Sequence, residues 1–510
     1  MVDVVREIER KYEPEDGGRP AALPDLDGLP GVDSVAEDEP VALDATYYDT
    51  EDQRLAATGV TLRRRTGGGD EGWHLKLPAD PGDPGIRDEI QAPPADELPL
   101  ALAALVRSRV RSAPLVPLLR LRQRRTVRRL LDAEGGTLVE VGLDEVSAER
   151  YGPGGRTAEW TEVEAELGQG RDPALLDAVE ARLTADGSGL RRSSSPSKLR
   201  RALTETAPGG NGVPVPEVTL TAGDVVLRYV RTQVSAIVEL DPAVRRDVYD
   251  SVHRMRVATR RLRGAFRSYG RVLDRTVTDP LGEELKWLAG ELGADRDQEV
   301  LTARLTEHLT VLPKVQQLGP VRGRLRTFTH ARRTGSRRHL LAVLDGARYL
   351  ALLEALAALL AHPPLRAPAT REPGAVLARA VRRDQDRLAR HIGEALAAPP
   401  GPGRDLALHD ARKAAKRVRY AAEAARPVFG REAKRFASRI TELQELLGDH
   451  QDSVLARTAL RDLALQAHEA GEHSFTYGVL YAWECERAAA RETELPVLWS
   501  AILREPALGA

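Results

Sequence analysis

Two short segments combine acidic residues with the two-residue spacing of a β-strand. Near the start of the chain the alternating residues are Glu7, Glu9 and Lys11. Near residue 160 they are Glu162, Glu164 and Glu166. Because alternate residues of a strand share a face, each segment would gather its acids on one side. A hard divalent cation such as Mg²⁺ would offset their repulsion, since it takes oxygen ligands. The alternative is two solvated strand faces.

Cationic residues with the same spacing occur between these two acidic segments. Arg63 would share a face with Arg65, and His74 with Lys76. The same alternation groups Arg87 with Glu89 and Glu140 with Asp144, and residues 119–129 form a basic run. Short strands with one charged face, joined by Gly/Pro-rich turns, favour an antiparallel barrel with a polar interior. Such an interior suits a polyanion that carries Mg²⁺ or Mn²⁺.

The order of these segments over residues 1–205 resembles the CYTH domain of the triphosphate tunnel metalloenzymes. The shared motifs are the N-terminal Glu-x-Glu-x-Lys and the segments at residues 62–65, 75–78, 144–146, 160–167 and 195–199. The resemblance implies an eight-stranded antiparallel β tunnel. It also implies hydrolysis or cyclisation of a triphosphate, and the family's substrates include inorganic tripolyphosphate, thiamine triphosphate, RNA 5′-triphosphate and ATP.

The resemblance also implies roles for individual charged residues. The residues expected to ligate Mg²⁺ or Mn²⁺ are Glu7, Glu9, Glu162 and Glu164. Asp144 would support the metal or the attacking water. The expected reaction centre is Glu7, Glu9, Lys11, Asp144, Glu162 and Glu164. The cations expected to hold phosphate oxygens are Lys11, Arg63, Arg65, Lys76, Arg87, Arg125 and Lys198. Arg125 is the favoured member of the run 122–125, and guanidinium forks suit bidentate phosphate contacts.

The composition changes after residue 205. Residues 206–218 are rich in Pro and Gly and lack periodicity, which predicts a linker. Beyond them the chain has apolar residues at helical spacing and repeats itself. Residues 253–263 match residues 409–419, and a Leu-Gly pair with a following Asp lies downstream in each copy. The predicted copies span about residues 219–362 and 374–505, and each would form about four helices of a bundle.

Each copy contains a basic helix that begins with a histidine. Positions three, seven and ten residues after that histidine lie within about 80° of it on a helix. The two predicted stripes are His253, Arg256, Arg260 and Arg263, and His409, Arg412, Lys416 and Arg419. Like charges four residues apart destabilise a helix, so each stripe requires solvent or an anionic partner. The occurrence of a stripe in both copies favours a binding surface.

The second half, residues 219–505, resembles a CHAD domain, a helical module often fused behind CYTH domains. The histidine-led basic helices carry this resemblance, which implies binding of inorganic polyphosphate by the two stripes. Lys413, Arg417 and Lys434 are weaker candidates. Asp297 and Asp452 are expected to orient basic side chains or cap helices.

Composition limits the other classes of function. The net charge is −1, so anion binding depends on local clusters. The single cysteine excludes an intramolecular disulfide. The N-terminal segment is unlike a signal peptide, and the apolar stretch at residues 349–361 is too short to span a bilayer, so we expect a cytoplasmic protein without a membrane partner. The few aromatic residues near the basic helices disfavour nucleic acid as a partner.

Three functions fit these patterns. The favoured prediction is divalent-metal-dependent hydrolysis of inorganic tripolyphosphate or short polyphosphate, with polyphosphate binding by the helical half. The alternatives are a polyphosphate-binding protein with an idle tunnel, and a triphosphatase or cyclase acting on thiamine triphosphate or ATP. The complete set of acids and cations favours an active tunnel. The fused polyanion-binding half favours an inorganic substrate.

Overall fold

The computed structural model divides the chain into two compact units, residues 1–215 and 216–510. It describes residues 3–16, 23–80, 83–152, 155–207, 220–504 and 508–509, without the side chains of residues 3, 80, 84, 294–299 and 328–335. The predicted linker over residues 206–218 lies outside the described residues from position 208 onwards. Each unit has its own hydrophobic core.

The first unit is a closed antiparallel barrel. Its strands are β1 (Asp3–Pro14), β2 (Ser34–Glu37), β3 (Val41–Asp49), β4 (Thr61–Thr66), β5 (Gly72–Asp80), β6 (Asp83–Ala92), β7 (Val116–Leu131), β8 (Thr137–Arg150), β9 (Thr157–Leu167) and β10 (Leu190–Arg192). The ring follows the order β1-β6-β5-β4-β3-β7-β8-β9, and pairing of β9 with β1 closes it. The short strands β2 and β10 pair with β7 and β1. The predicted eight-stranded antiparallel barrel is confirmed.

Alternation along each strand separates an apolar outer face from a polar inner face. The helices α1 (Leu100–Val110), α2 (Ala174–Leu183) and α3 (Lys198–Glu205) belong to this unit. On β9, Val163 and Ala165 share an apolar core with Val179 of α2. The intervening Glu164 lines the interior cavity. Because the helices take up the apolar face, the charged residues of each strand are left for the interior.

The second unit is helical in its described residues. Its helices are α4 (Ala222–Arg245), α5 (Ser251–Ser268), α6 (Arg275–Glu291), α7 (Ala294–Val311), α8 (Val321–Asp345), α9 (Ala347–Ala361), α10 (Pro373–Ala397), α11 (Pro402–Glu469) and α12 (Phe475–Leu503). Helix α11 is interrupted at Gly430, whose φ of 50° and ψ of −117° are not helical. None of the described helices has both the length and the apolarity that a membrane-spanning helix requires.

The repeat seen in the sequence corresponds to four helical segments per copy. In the second copy these are α10, the two parts of α11 on either side of Gly430, and α12. In the first copy they begin with α4 and α5. The third segment is then divided at Gly293, between α6 and α7, and the fourth at Gly346, between α8 and α9. The prediction of an all-α domain with two repeated four-helix units is confirmed.

Candidate functional site

Inward-facing side chains of the barrel surround a cavity of about 580 Å³. All eight strands of the ring contribute to its wall, together with the first turn of α3. The predicted residues that line it are Glu7, Glu9, Lys11, Arg63, Arg65, Lys76, Arg87, Arg125, Glu164 and Lys198. Arg122 and Arg124 instead line a different cavity. The strands therefore bring most of the predicted tunnel residues to one chamber.

Three predicted acids converge, of which Glu164 lines this cavity while Asp144 and Glu162 do not. Oxygens of Asp144, Glu162 and Glu164 all lie within 4.8 Å of one another, and the three side chains are buried. The Lys198 ammonium lies 3.0 Å from Asp144 and 2.8 Å from Glu162, and it also pairs with Glu164. Despite burial, these acids raise the pKa of Lys198 above its ordinary value. The three carboxylates therefore surround the ammonium group of Lys198.

The strand register explains why these three acids meet. Asp144 on β8 lies opposite Glu162 on β9, and Glu164 is two residues further along the same face. Arg125 on β7 lies opposite Asp144 and donates from Nε and Nη2 to its two oxygens, each at 2.7 Å. The indole N–H of Trp160 donates to Glu162 at 2.6 Å, which fixes that carboxylate. The acids are thus oriented by neighbours on three strands and one helix.

Glu7 and Glu9 lie apart from the three convergent carboxylates. Glu7 Oε2 is 2.6 Å from Lys76 Nζ, and Glu9 Oε2 is 3.2 Å from Lys11 Nζ. Lys11 also pairs with Glu164, so it links Glu9 to the convergent group. Burial raises the pKa of Glu7 to about 8, with Lys76 opposing the shift and Glu89 adding to it.

Two further tunnel cations, Arg63 and Arg65 on β4, also form ion pairs. Arg63 lies 3.5 Å from Glu89 and donates to the Tyr47 hydroxyl at 3.3 Å. Arg65 pairs with Asp70, and burial together with Arg63 lowers its pKa to about 9. A polyanion would stabilise such crowded, desolvated cations, because its negative charge would offset the repulsion between them.

The helical unit holds a second cationic cavity, of about 310 Å³. It is lined by residues of α5 and of the first part of α11: Arg260, Arg263, Gly264, Arg267, His409, Arg412, Lys413, Lys416, Arg417 and Tyr420. The two predicted basic stripes therefore meet along part of their length. A β-carbon at Gly264 would lie 3.1 Å from the Tyr420 ring, so the missing side chain permits this close approach of the helices.

Three members of the predicted stripes lie outside the lining of this cavity. His253 is exposed near the start of α5, and Arg256 is buried against Gly293. Arg419 lies 3.5 Å from Glu423, with its guanidinium 4.9 Å from the centre of the Tyr420 ring. Two weaker candidates, Lys413 and Arg417, do line the cavity. The side chain of Asp297 lies outside the described residues.

Two domain families match the chain. The CYTH domain matches residues 6–202, and the CHAD domain matches residues 228–461. The chain is a CYTH–CHAD protein. Two uncharacterized proteins of Mycobacterium tuberculosis, MT2285 and Rv2226, are each 38% identical to it over 504 residues, which is 94% of this chain and 93% of each relative. The barrel is the CYTH domain and the helical unit is the CHAD domain.

Two solved structures are similar to part of the chain. PptA from Streptomyces chartreusis is 21% identical with a TM-score of 0.47, and the match covers 55% of this chain and all (100%) of that chain. The CHAD domain from the plant Ricinus communis is 22% identical with a TM-score of 0.43, covering 58% of this chain and 99% of that chain. At the level of families, CYTH members are metal-dependent triphosphatases or cyclases, and CHAD domains are associated with polyphosphate binding.

The CYTH domain has a donor set that fits a hard divalent cation. Its three convergent groups are all carboxylates, the ligand class that Mg²⁺ and Mn²⁺ prefer. Burial opposes ionisation of Glu164, yet Lys11, Lys198 and Arg125 hold the pKa of Glu164 well below its ordinary value. The carboxylate is therefore ionised at neutral pH, as a metal ligand must be.

In the CHAD domain, Lys416 lies within a crowd of cations. Burial, followed by Arg412, Arg260, Arg256 and Arg419, lowers its pKa to about 7. Burial raises the pKa of Asp452, and Arg412 opposes the shift. A lysine that is only partly charged at neutral pH makes the charge of this cavity depend on pH.

The sequence placed His74 and Glu89 on strand faces but gave neither a role, and it could not show the contact that Arg87 makes. His74 Nδ1 lies 2.9 Å from Glu89 Oε1, and its Nε2 lies 2.8 Å from the carbonyl oxygen of Asp70. Arg87 donates to the carbonyl oxygen of Pro196 at 2.7 Å, and so ties the segment before α3 to the barrel. The alternation of β5 and β6 placed His74 and Glu89 on inner faces, but their pairing depends on the register between the strands.

A further mixed group in the CHAD domain consists of Asp405, His450 and Glu492, whose ligand atoms lie within 4.8 Å of one another. Arg457 pairs with Asp405 at 2.8 Å, and Arg404 pairs with Glu492 at 2.8 Å. Both negative charges are therefore already balanced by arginines. We interpret this group as a buried ion-pair network that joins α11 to α12.

Proposed function

We propose that the CYTH domain hydrolyses inorganic tripolyphosphate or short polyphosphate with Mg²⁺ or Mn²⁺, and that the CHAD domain binds polyphosphate. The observation that carries the proposal is the meeting of carboxylates and cations at the tunnel wall. Acids are needed to hold a metal ion and cations to hold phosphate oxygens. Glu164 lines the cavity of about 580 Å³ together with the cations, and carboxylate oxygens of Asp144 and Glu162 lie within 4.8 Å of its own.

Each group of residues has a distinct role in this proposal. Asp144, Glu162 and Glu164 would hold the divalent cation, and what the bound cation supplies is neutralisation of charge that develops on the transferring phosphoryl group. Lys11, Lys76 and Arg63 would hold phosphate oxygens in place of the carboxylates with which they now pair. Hydrolysis breaks one P–O–P bond, adds water across it and leaves the electron pair on the departing phosphate oxygen.

A second candidate is hydrolysis of an organic triphosphate. The observation in its favour is a neighbouring cavity of about 740 Å³ that shares Leu43 and Gln123 with the tunnel. Its wall includes Trp160 and Val146, both of which are largely buried. The charge density of the tunnel itself still favours a substrate that is phosphate throughout.

A substrate comparison on the full-length protein separates the two candidates. With saturating Mg²⁺ or Mn²⁺, we expect kcat/KM for tripolyphosphate to exceed that for ATP and for thiamine triphosphate by at least about tenfold. Phosphate release is the measurement, and chelation of the metal is the control that should abolish it. A preference for ATP or thiamine triphosphate would support the second candidate. If no phosphate were released from any of the three substrates, polyphosphate binding would be the only proposed function that remains.

Polyphosphate binding by the CHAD domain should depend on pH through Lys416. Its pKa of about 7 in the free protein would rise when a polyanion binds, so binding takes up a proton. Affinity is therefore expected to be highest below the free-state pKa and to fall by about tenfold between about pH 6 and 8. Titration calorimetry over this range measures both the affinity and the proton uptake.

The matched control for this prediction is Lys416→Arg. Arginine stays charged at these pH values, so the variant should lose the pH dependence that Lys416 contributes. It also controls for ionisation of the polyphosphate end groups, which is common to both proteins. Superimposable pH profiles for the wild type and Lys416→Arg would contradict a role for Lys416.

A further inference from the structure

Each basic stripe of the CHAD domain places one arginine against a glycine of its own copy. In the first copy, a β-carbon at Gly293 would lie 2.9 Å from Nη2 of Arg256. In the second copy, a β-carbon at Gly448 would lie 3.4 Å from Nη2 of Arg412. Arg256 and Arg412 occupy the same position of the repeat, three residues after His253 and His409. The two glycines therefore face corresponding arginines, with a tight contact at Gly293 and an ordinary van der Waals contact at Gly448.

We propose that Gly293, and to a smaller extent Gly448, are positioning residues for polyphosphate binding, because a side chain at either position would contact the guanidinium group of Arg256 or Arg412. The inference rests on the proposed polyphosphate binding by the CHAD domain and deepens it. It assigns a function to the Leu-Gly pairs of the repeat, which lie far from the basic helices in the sequence.

Backbone conformation does not explain these glycines. Gly293 has φ −92° and ψ −28°, which any residue adopts, and neither glycine is among the positive-φ residues. Gly448 lies inside the continuous second part of α11. A glycine in a helix interior costs about 1 kcal/mol relative to alanine. A larger residue at either position would therefore act by filling the space beside the arginine, and not by straining the backbone.

The neighbours of the added β-carbon point to the arginines. At position 448 the three nearest atoms all belong to the Arg412 side chain. At position 293 two of the three belong to Arg256, and the third is the carbonyl oxygen of Ala289. Both arginines also contribute to the positive potential at Lys416, which lines the cationic cavity. A displacement of either guanidinium would therefore alter the charge presented to a polyanion.

The test is polyphosphate binding by full-length Gly293→Ala and Gly448→Ala proteins, measured with long-chain inorganic polyphosphate by fluorescence anisotropy. We expect Gly293→Ala to weaken binding by about tenfold, the effect of losing one charge-assisted contact. The effect of Gly448→Ala should be smaller, because its contact is 3.4 Å and not 2.9 Å. Gly290→Ala in α6 is the matched control, since nothing lies within 4 Å of its added β-carbon.

A double-mutant comparison tests whether the glycine acts through its arginine. In an Arg256→Ala background, Gly293→Ala should cause no further loss of affinity. A loss that persists in that background, or unchanged affinity of Gly293→Ala in the wild-type background, would overturn the inference. Failure of the wild type to bind polyphosphate would instead refute the proposed function. Melting temperatures monitor folding, and Gly448→Ala with Arg412→Ala provides the same comparison if Gly293→Ala does not fold.

Discussion

Replacement of Glu164 by glutamine is expected to lower metal-dependent turnover of tripolyphosphate by more than about 100-fold. Loss of a residue that only orients a metal ligand typically lowers activity by about 10- to 100-fold, and loss of a ligand itself should have a larger effect. The substitution removes one of the three convergent carboxylates. It also removes the shared counter-charge of Lys11, Arg125 and Lys198. Substrate affinity should not fall in parallel, because these three cations then lack their acid and gain more from phosphate oxygens. The expected result is a low kcat without a raised KM.

The measurement is steady-state phosphate release at saturating Mg²⁺ or Mn²⁺, together with a titration of the metal. Glu159→Gln is the matched control, because Glu159 is an exposed acid on the same strand. Unpaired buried cations destabilise a protein, so the melting temperature must be followed as well. Near-wild-type turnover of a folded Glu164→Gln protein would show that this carboxylate is not part of the reaction centre.

The barrel was predictable because its information is local. Residues 7–11 and 162–166 each carry a two-residue charge period, and that period alone assigns a face to every acid. The structure brings Glu7, Glu9, Lys11 and Glu164 to one cavity wall, as those faces require. The alternative of solvated strand faces does not hold for Glu7 and Glu9, since both are buried.

The exact grouping of the acids was not predictable, because it depends on the register between distant strands. Closure of the barrel sets Lys11 opposite Glu164 and Glu9 opposite Glu166. Glu7 is displaced by a further two residues along β1 and pairs with Lys76 of β5 instead. The five predicted metal ligands therefore divide into a convergent group of three and two acids, Glu7 and Glu9, that lie outside it.

In the CHAD domain the helical period predicted the stripes but could not predict how they cross. The approach of α5 to α11 at Gly264 and Tyr420 decides which stripe residues share the cavity. Arg260 and Lys416 lie on the shared wall, whereas His253 does not. A glycine at a helix contact gives a weak signal in the sequence, since glycines also occur in turns and at helix ends.

The largest effect on binding is expected from reversing the charge of Arg256, Arg260, Arg412 and Lys416 to glutamate together. Each charge-assisted contact contributes about 1.5–3 kcal/mol, so polyphosphate affinity should fall by at least about 1,000-fold. The steep salt dependence that accompanies phosphate contacts should disappear with it. Anisotropy titrations at two or more salt concentrations measure both quantities in the full-length protein.

Folding should survive this change, because the cavity of the wild type contains repulsion that the change relieves. Burial, and then the neighbouring arginines, lower the pKa of Lys416 and so disfavour its positive charge. Glutamates at positions 260, 412 and 416 would face Arg263, Arg267 and Lys413, which also line the cavity. The melting temperature is therefore expected to stay constant or to rise while binding is lost.

As a control, the same reversal at the exposed residues Arg271, Arg326, Arg382 and Arg426 should preserve binding. Equal losses from both sets would indicate a response to net charge and would refute a defined polyphosphate site.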